Sequence, residues 1–109
     1  MAASAGPMSG STEIRFLPDH PTAAGHFPGN PIIPGALLLD CVASAIANVE
    51  TIAPPYALRA VKFLRPVRPG DRLRIEWHEE RGLTQFQCVL VDAEQIAVSG
   101  TLRASSVAT

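Results

Sequence analysis

Three things are scarce in this sequence: net charge, cysteine and long apolar runs. A formal net charge of −1 over 109 residues gives no general reason to expect a nucleic acid or a membrane as partner. No apolar run approaches the length that spans a bilayer. The segment MAASAGPMSGST has neither the basic start nor the apolar centre of a secretory signal, so we predict a flexible tail over residues 1–12.

The two cysteines, Cys41 and Cys88, lie far apart in apolar surroundings, with no Cys/His cluster near them. This pattern favours two buried, reduced thiols in a cytoplasmic protein over a disulfide or a metal site. We therefore expect neither a metal nor another cofactor.

Apolar residues, by contrast, make up 47% of the chain. That content allows a sizeable core, and the length fits a single domain, which we place at residues 13–105. Residues 13–18 alternate as a short edge strand, and a loop rich in Pro and Gly occupies 19–34. Residues 35 to about 49 are apolar around most of the circumference and rich in Ala and Leu, which predicts a buried helix. We predict further strands at 57–67, 72–79, 83–91 and 95–104, of which the segment 72–79 alternates cleanly.

Short turns between the last four strands, such as RPGD at 68–71, indicate an up-and-down antiparallel meander. A sheet of this kind needs one covered face, and the apolar helix is the predicted element able to cover it. The predicted fold class is therefore α+β, with a curved antiparallel sheet wrapped around one central helix.

A narrow polar stripe runs along this helix. Asp40, Ser44 and Asn48 are spaced by four residues and so share one face. A carboxylate inside a core costs several kcal/mol unless it is paired or neutralised, so stability alone would not place Asp40 there. The stripe either faces solvent, as in ordinary amphipathic helices, or serves a function, and we favour the second interpretation.

A histidine and a helix start lie just before this stripe, in GHFPGNPIIPGALLLD at residues 25–40. His26 can exchange a proton near neutral pH. The amide of Gly35, at the predicted first turn, is available to a carbonyl or an oxyanion. Asp40 could hold and donate a proton if it were desolvated. A base, an acid and an oxyanion donor suit proton abstraction beside a carbonyl, followed by loss of hydroxide.

This segment resembles the active-site segment of the β-hydroxyacyl-acyl carrier protein dehydratases, which have the hot-dog fold. Their pattern combines a GHFPG loop, a PxxPG approach to the helix and an acid fourteen positions after the histidine, as from His26 to Asp40. VKFLRPVRPGDRL, at residues 61–73, also resembles a strand–turn segment of that family. The likeness spans about Phe16 to Leu73.

The resemblance implies a role for each matching residue. His26 would take the C2 proton of a 3-hydroxyacyl thioester, Asp40 would help the C3 hydroxyl leave as water, and the Gly35 amide would hold the thioester carbonyl. His26 and Asp40 would come from different subunits of a homodimer, a dimer-based oligomer or a heterodimer. The acyl chain, delivered on the phosphopantetheine arm of an acyl carrier protein, would contact Phe27, Pro28, Gly29, Ile32, Ile33, Ala36, Leu37 and Ser44.

Two departures refine the resemblance. The acid is Asp where the larger branch of the family has Glu, and Ser44 stands where members often carry Gln. The short chain is closer to the compact branch associated with aryl-polyene or polyketide-type pathways.

Six of the nine basic residues fall between Arg59 and Arg74, opposed within that window only by Asp71. A positive rim would suit an acidic carrier protein, and Arg65 and Arg68 are the predicted docking residues; a merely solvated strand face is the simpler alternative. Two other functions stay open: a hot-dog acyl thioesterase, and a non-catalytic subunit that binds acyl carrier protein.

Overall fold

The computed structural model describes residues 9–17, 32–52 and 55–104. Within them lie one helix and five strands: β1 Ser9–Arg15, α1 Gly35–Glu50, β2 Tyr56–Phe63, β3 Arg72–Glu80, β4 Leu83–Leu90 and β5 Gln95–Ala104. All strand pairs are antiparallel, and the sheet order is β1-β3-β4-β5-β2. The predicted α+β class, with an antiparallel sheet and one helix, is confirmed. No helix in the described ranges is long and apolar enough to cross a membrane.

Strand β2 departs from the predicted meander. It pairs with β5 at the sheet edge, so only β3, β4 and β5 form consecutive hairpins. The predicted turn at 68–71 does form, with the Arg68 amide donating to Asp71 Oδ2 at 2.7 Å. Before it, however, the amides of Leu64 and Arg65 donate to the Ala97 carbonyl at 2.7 and 3.2 Å. The connection from β2 to β3 therefore first forms hydrogen bonds with β5 and then crosses to β3. A tight turn could not make this path.

A β-bulge interrupts β2. The register shifts between Arg59 and Lys62, and Ala60 has φ of 54°. Gly100 lies opposite, where a Cβ would come within 2.9 Å of the Phe86 ring and 3.1 Å of Val61. Glycine at position 100 therefore leaves the space that the Phe86 ring and the Val61 side chain occupy.

Strand β1 begins at Ser9, so the predicted tail at residues 1–12 is wrong for 9–12, while residues 1–8 lie outside the described ranges. The early start follows from packing. Gly10 lies against Trp77, and a Cβ at position 10 would come within 2.8 Å of the indole. Only a residue without a side chain lets β1 approach β3 here.

The core lies between α1 and one face of the sheet. Strand β3 contributes Leu73, Ile75 and Trp77, as their alternation predicts. The helix contributes a single buried face, made of Leu38, Val42, Ala43, Ile46 and Ala47. The helix is thus central to the fold, as predicted, and it packs one face against the sheet while its opposite face is exposed in the single chain.

Both cysteines are free thiols. Cys88 is fully buried, and this burial raises its pKa to about 12. Cys41 is only partly buried, which corrects the expectation for that residue, because it lies at the border between the two faces of α1. Desolvation and, secondarily, the charge of Asp40 raise the pKa of the Cys41 thiol.

Candidate active site at the start of helix α1

The N-terminus of α1 presents backbone donors. Pro34 is the N-cap and provides no side-chain hydrogen bond to the helix. The first intrahelical bond runs from the Leu38 amide to the Pro34 carbonyl at 2.9 Å. The amides of Gly35, Ala36 and Leu37 therefore have no acceptor within the helix, and they point out of its N-terminal end. Together with the helix dipole they favour a carbonyl oxygen or an anion.

An apolar groove of about 330 Å³ adjoins this helix end. We call it the Gly35 groove. Its lining consists of Ile32, Ile33, Gly35, Leu38, Phe63, Leu64, Arg65, Pro66 and Val67. A hydrogen bond from the Ile33 amide to the Val67 carbonyl, 2.7 Å long, ties its two walls together. The groove can hold an apolar group whose polar end reaches the helix amides.

Two of the predicted substrate residues line the Gly35 groove. Ile32 and Ile33 are in its wall, whereas Leu37 packs partly buried against the core and is not among the lining residues. Ala36 and Ser44 lie on the exposed face of α1. The four residues His26, Phe27, Pro28 and Gly29 lie outside the described ranges.

The polar stripe lies on one face, as its spacing predicts, and this face is exposed. Asp40, Ser44 and Asn48 are all solvent-accessible, together with Ala36 one turn earlier. The expectation that Asp40 sits in the core is therefore wrong for the single chain. The four-residue spacing fixed the face correctly, but the apolar neighbours at Leu39 and Cys41 are themselves only partly buried.

The basic residues near the groove divide into two groups. Arg65 lines the Gly35 groove, and Arg68 follows Val67 on the same exposed connection. Arg72 and Arg74 on β3 instead meet carboxylates: Arg72 contacts Asp92 at 3.0 Å, and Arg74 contacts Glu94 at 3.2 Å. The basic run predicted from the sequence therefore has two parts. Arg72 and Arg74 form ion pairs on the sheet, and Arg65 and Arg68 lie on the connection beside the groove.

Sequence reasoning missed the second wall of the groove. Phe63, Leu64 and Pro66 were assigned to a longer strand, yet β2 ends at Phe63. A signal was present, since Phe63 and Leu64 are consecutive large apolar residues and a strand cannot point both to the same core. Elsewhere, the described part of the chain contains no group of three or more His, Cys, Asp or Glu side chains able to hold a metal ion.

Comparison with known proteins identifies the family to which this chain belongs. The ApeI-like family model, described as ApeI dehydratase, matches residues 5–101. A 3-hydroxyacyl-[acyl-carrier-protein] dehydratase FabZ from Chloroflexus aggregans is 38% identical over 95 residues, which cover 77% of this chain and 66% of that protein. The chain thus spans slightly less than two thirds of the length of this relative.

Solved structures agree on the fold. A protein from Erwinia carotovora subsp. atroseptica, described as uncharacterized, superposes with a TM-score of 0.74 at 26% identity, covering 94% of this chain and 86% of its own. The dehydratase heterocomplex ApeI:P from Xenorhabdus doucetiae gives a TM-score of 0.66 at 23% identity, covering 91% and 97%. The sheet and helix described above are the hot-dog fold.

Proposed function

Because the chain belongs to the ApeI-like dehydratase family, we propose that it removes water from a 3-hydroxyacyl thioester held on an acyl carrier protein, giving the trans-2-enoyl thioester. The observation that supports this most directly is the Gly35 groove, an apolar wall that ends at amides with no acceptor within the helix. A thioester has the matching chemistry, with a carbonyl oxygen between two apolar arms. We place the carbonyl at the Gly35 amide and the apolar atoms beside Ile32 and Ile33.

In the proposed reaction, His26 takes the C2 proton while the Gly35 amide stabilises negative charge on the thioester oxygen. Asp40 gives a proton to the C3 hydroxyl, directly or through a water molecule. The C3–O bond then breaks, water leaves, and the C2–H electron pair becomes the C2–C3 double bond. The proton held by His26 returns to Asp40 through solvent, which restores both groups.

We further propose that a second chain completes the site. Asp40 is exposed on the outer face of α1 in the single chain. A partner that covers Ala36, Asp40 and Ser44 would desolvate the carboxyl group and favour its protonated, donating form. Such a partner can be a second copy or a related chain, and it would bring its own His26-containing loop to this face. Phe27, Pro28, Gly29 and Leu37 would then line the acyl site with Ala36 and Ser44.

The decisive experiment follows the product by mass. The protein is incubated with 3-hydroxyacyl thioesters of several lengths, on carrier protein and on a small thiol. Loss of one water with the thioester intact supports the dehydratase. Release of free thiol and hydroxy acid would mean a thioesterase, and unchanged thioester with retained carrier binding would mean a non-catalytic subunit.

The carrier protein itself would dock beside the groove through Arg65 and Arg68, both exposed on the connection from β2 to β3. Their positive charges would attract an acidic carrier and orient its arm towards the groove. We expect the double substitution Arg65→Glu and Arg68→Glu to raise KM for the carrier-bound substrate about tenfold or more and to leave KM for a small thioester nearly unchanged. Arg81→Glu, at the exposed β3–β4 turn, serves as the charge-matched control. An equal rise in KM for both substrates would rule out docking at Arg65 and Arg68.

A further inference from the structure

Phe63 is a large apolar side chain that the core does not absorb. It is the last residue of β2 and pairs with Val98, yet its side chain is 54% exposed. The hydrogen bonds from the Leu64 and Arg65 amides to Ala97 hold the backbone directly after it. The backbone at Phe63 is thus held by the sheet, and the exposure of this residue is not the result of a loose chain end.

The ring lies against Gly35. A Cβ built on Gly35 would come within 3.0 Å of Phe63 Cζ, 3.3 Å of Cε1 and 3.6 Å of Cε2. These are the three atoms at the far edge of the ring. Glycine at position 35 therefore leaves the space that the ring edge occupies.

The direction of this contact shows where the Phe63 ring lies relative to the amides of the first turn of α1. In an α-helix each Cα–Cβ bond is tilted towards the N-terminus of the helix. The Phe63 ring lies where the Cβ of the first helical residue would point, and it is therefore at the N-terminal end of α1. The amides of the first turn, which have no acceptor within the helix, point towards that same end. Phe63 consequently borders the space in front of the donors that the proposed mechanism assigns to the thioester carbonyl.

We infer that Phe63 is a positioning residue for this site: its ring closes one side of the space before the helix amides, excludes water from it and confines the thioester carbonyl to the Gly35 donor. A hydrogen bond to a developing oxyanion is stronger when water is kept away from it. The inference rests on the proposed dehydration for its catalytic part, whereas the contact between Phe63 and Gly35 can be tested without any activity.

The first experiment tests the contact by thermal unfolding of four proteins: wild type, Gly35→Ala, Phe63→Ala and the double variant. The added methyl group at position 35 has to displace the ring when Phe63 is present and meets no ring when Phe63 is Ala. We expect the change in Tm caused by Gly35→Ala to be clearly more favourable in the Phe63→Ala background. Identical changes in both backgrounds would overturn the contact and with it the inference.

The second experiment tests the role by steady-state kinetics on a carrier-bound 3-hydroxyacyl thioester. We expect Phe63→Ala to lower kcat about tenfold, less than the loss of a whole oxyanion donor, with a smaller change in KM. Phe63→Leu, which restores much of the apolar bulk, should recover part of kcat. Gly35→Ala, which keeps the amide but moves the ring, should lower kcat in the wild-type background and have little further effect after Phe63→Ala.

Ile96→Ala is the matched control, since Ile96 is also an exposed large apolar residue and lies outside the groove. It should leave kcat and KM unchanged. If Phe63→Ala leaves kcat at the wild-type value, or if Phe63→Leu recovers none of the loss, the positioning role is wrong. If wild type forms no enoyl product at all, the proposed dehydration fails, while the Tm comparison still decides whether the ring meets Gly35.

Discussion

The two faces of helix α1 contact different surroundings. On the inner face, Val42 and Ile46 are completely enclosed by the core. On the outer face, Asp40, Ser44 and Asn48 are exposed. One helix thus supplies apolar anchors for the sheet on one side and the only acid of the proposed site on the other. Because the two sets of side chains do not share contacts, stability and activity should respond to substitution separately.

Asp40→Asn should give the largest effect, and only on activity. The amide cannot donate the proton required by the leaving hydroxyl, so we expect kcat to fall by about 10²–10⁴-fold. Asparagine has nearly the same shape and removes the charge of a carboxyl group that the proposed partner would desolvate, so the Tm of the variant should stay close to that of wild type or rise. Steady-state kinetics and calorimetry on the same sample measure both quantities. A large fall in Tm would place Asp40 among the structural residues and remove the contrast between the faces.

Mixing this variant with His26→Ala sharpens the result. If each site takes its base and its acid from different chains, subunit exchange between the two inactive proteins should restore part of the activity. Absence of recovery after exchange has been verified by mass would count against a site shared by two chains.

Ile46→Ala should show the opposite behaviour. Removing buried methyl groups leaves a cavity between α1 and the sheet, so we expect the free energy of unfolding to fall by about 2–5 kcal/mol. Asn48→Ala, two residues along the helix but on the outer face, should change it by less than about 0.5 kcal/mol. Chemical denaturation followed by tryptophan fluorescence compares the two. Similar losses for both variants would show that the outer face is buried in solution.

Substitutions of Glu50 should change the free energy of unfolding by a smaller amount, because this side chain makes one favourable and one unfavourable interaction. Its Oε2 accepts a hydrogen bond of 2.7 Å from the Trp77 indole, although a negative charge at the C-terminal end of a helix is unfavourable. Glu50→Ala leaves the buried indole N–H without this acceptor and should cost about 1–3 kcal/mol of unfolding free energy. Glu50→Gln keeps an acceptor and removes the charge, so it should lie within about 1 kcal/mol of wild type. Equal destabilisation by Ala and Gln would show that the charge, and not the hydrogen bond, is what matters.

Cys41 gives the smallest effect and reports on the charge of Asp40. Desolvation is the larger cause of its raised pKa and the Asp40 charge the smaller. Asp40→Asn should therefore lower the pKa of Cys41 and speed its alkylation at pH 8, by less than about tenfold. Cys88 does not interfere, because burial raises its pKa to about 12. Ser44→Ala is the control. An alkylation rate that is the same in wild type and Asp40→Asn would mean that the Asp40 carboxyl group is uncharged, the form that the proposed partner chain would favour.

The sequence predicted best where one local pattern decides the outcome. The alternation in β3 predicted its inward face, and the apolar run that begins at Gly35 predicted the start of the helix. The placement of β2 beside β5 failed, because it depends on hydrogen bonds from Leu64 and Arg65 to Ala97, more than thirty residues away. The prediction missed the early start of β1 for a related reason, because the need for glycine at position 10 comes from its contact with Trp77 on another strand.

The candidate site divides in the same way. The spacing of Asp40, Ser44 and Asn48 predicted a shared face correctly. Whether such a face is buried depends on what covers it. The spacing of polar residues in one chain does not show whether a second chain packs against them. The contact between Phe63 and Gly35 joins residues from different elements, and only the folded sheet brings them together.

The bulge in β2 has a consequence for how the protein avoids forming fibres. An outermost strand offers unpaired backbone groups to any extended chain that drifts alongside. At Ala60 the backbone turns into a left-handed conformation and breaks the straight ribbon into two short pieces. A foreign strand can follow either piece for only three or four residues before the donors and acceptors fall out of step. The bulge thus protects the open edge of the sheet against edge-to-edge pairing with other chains.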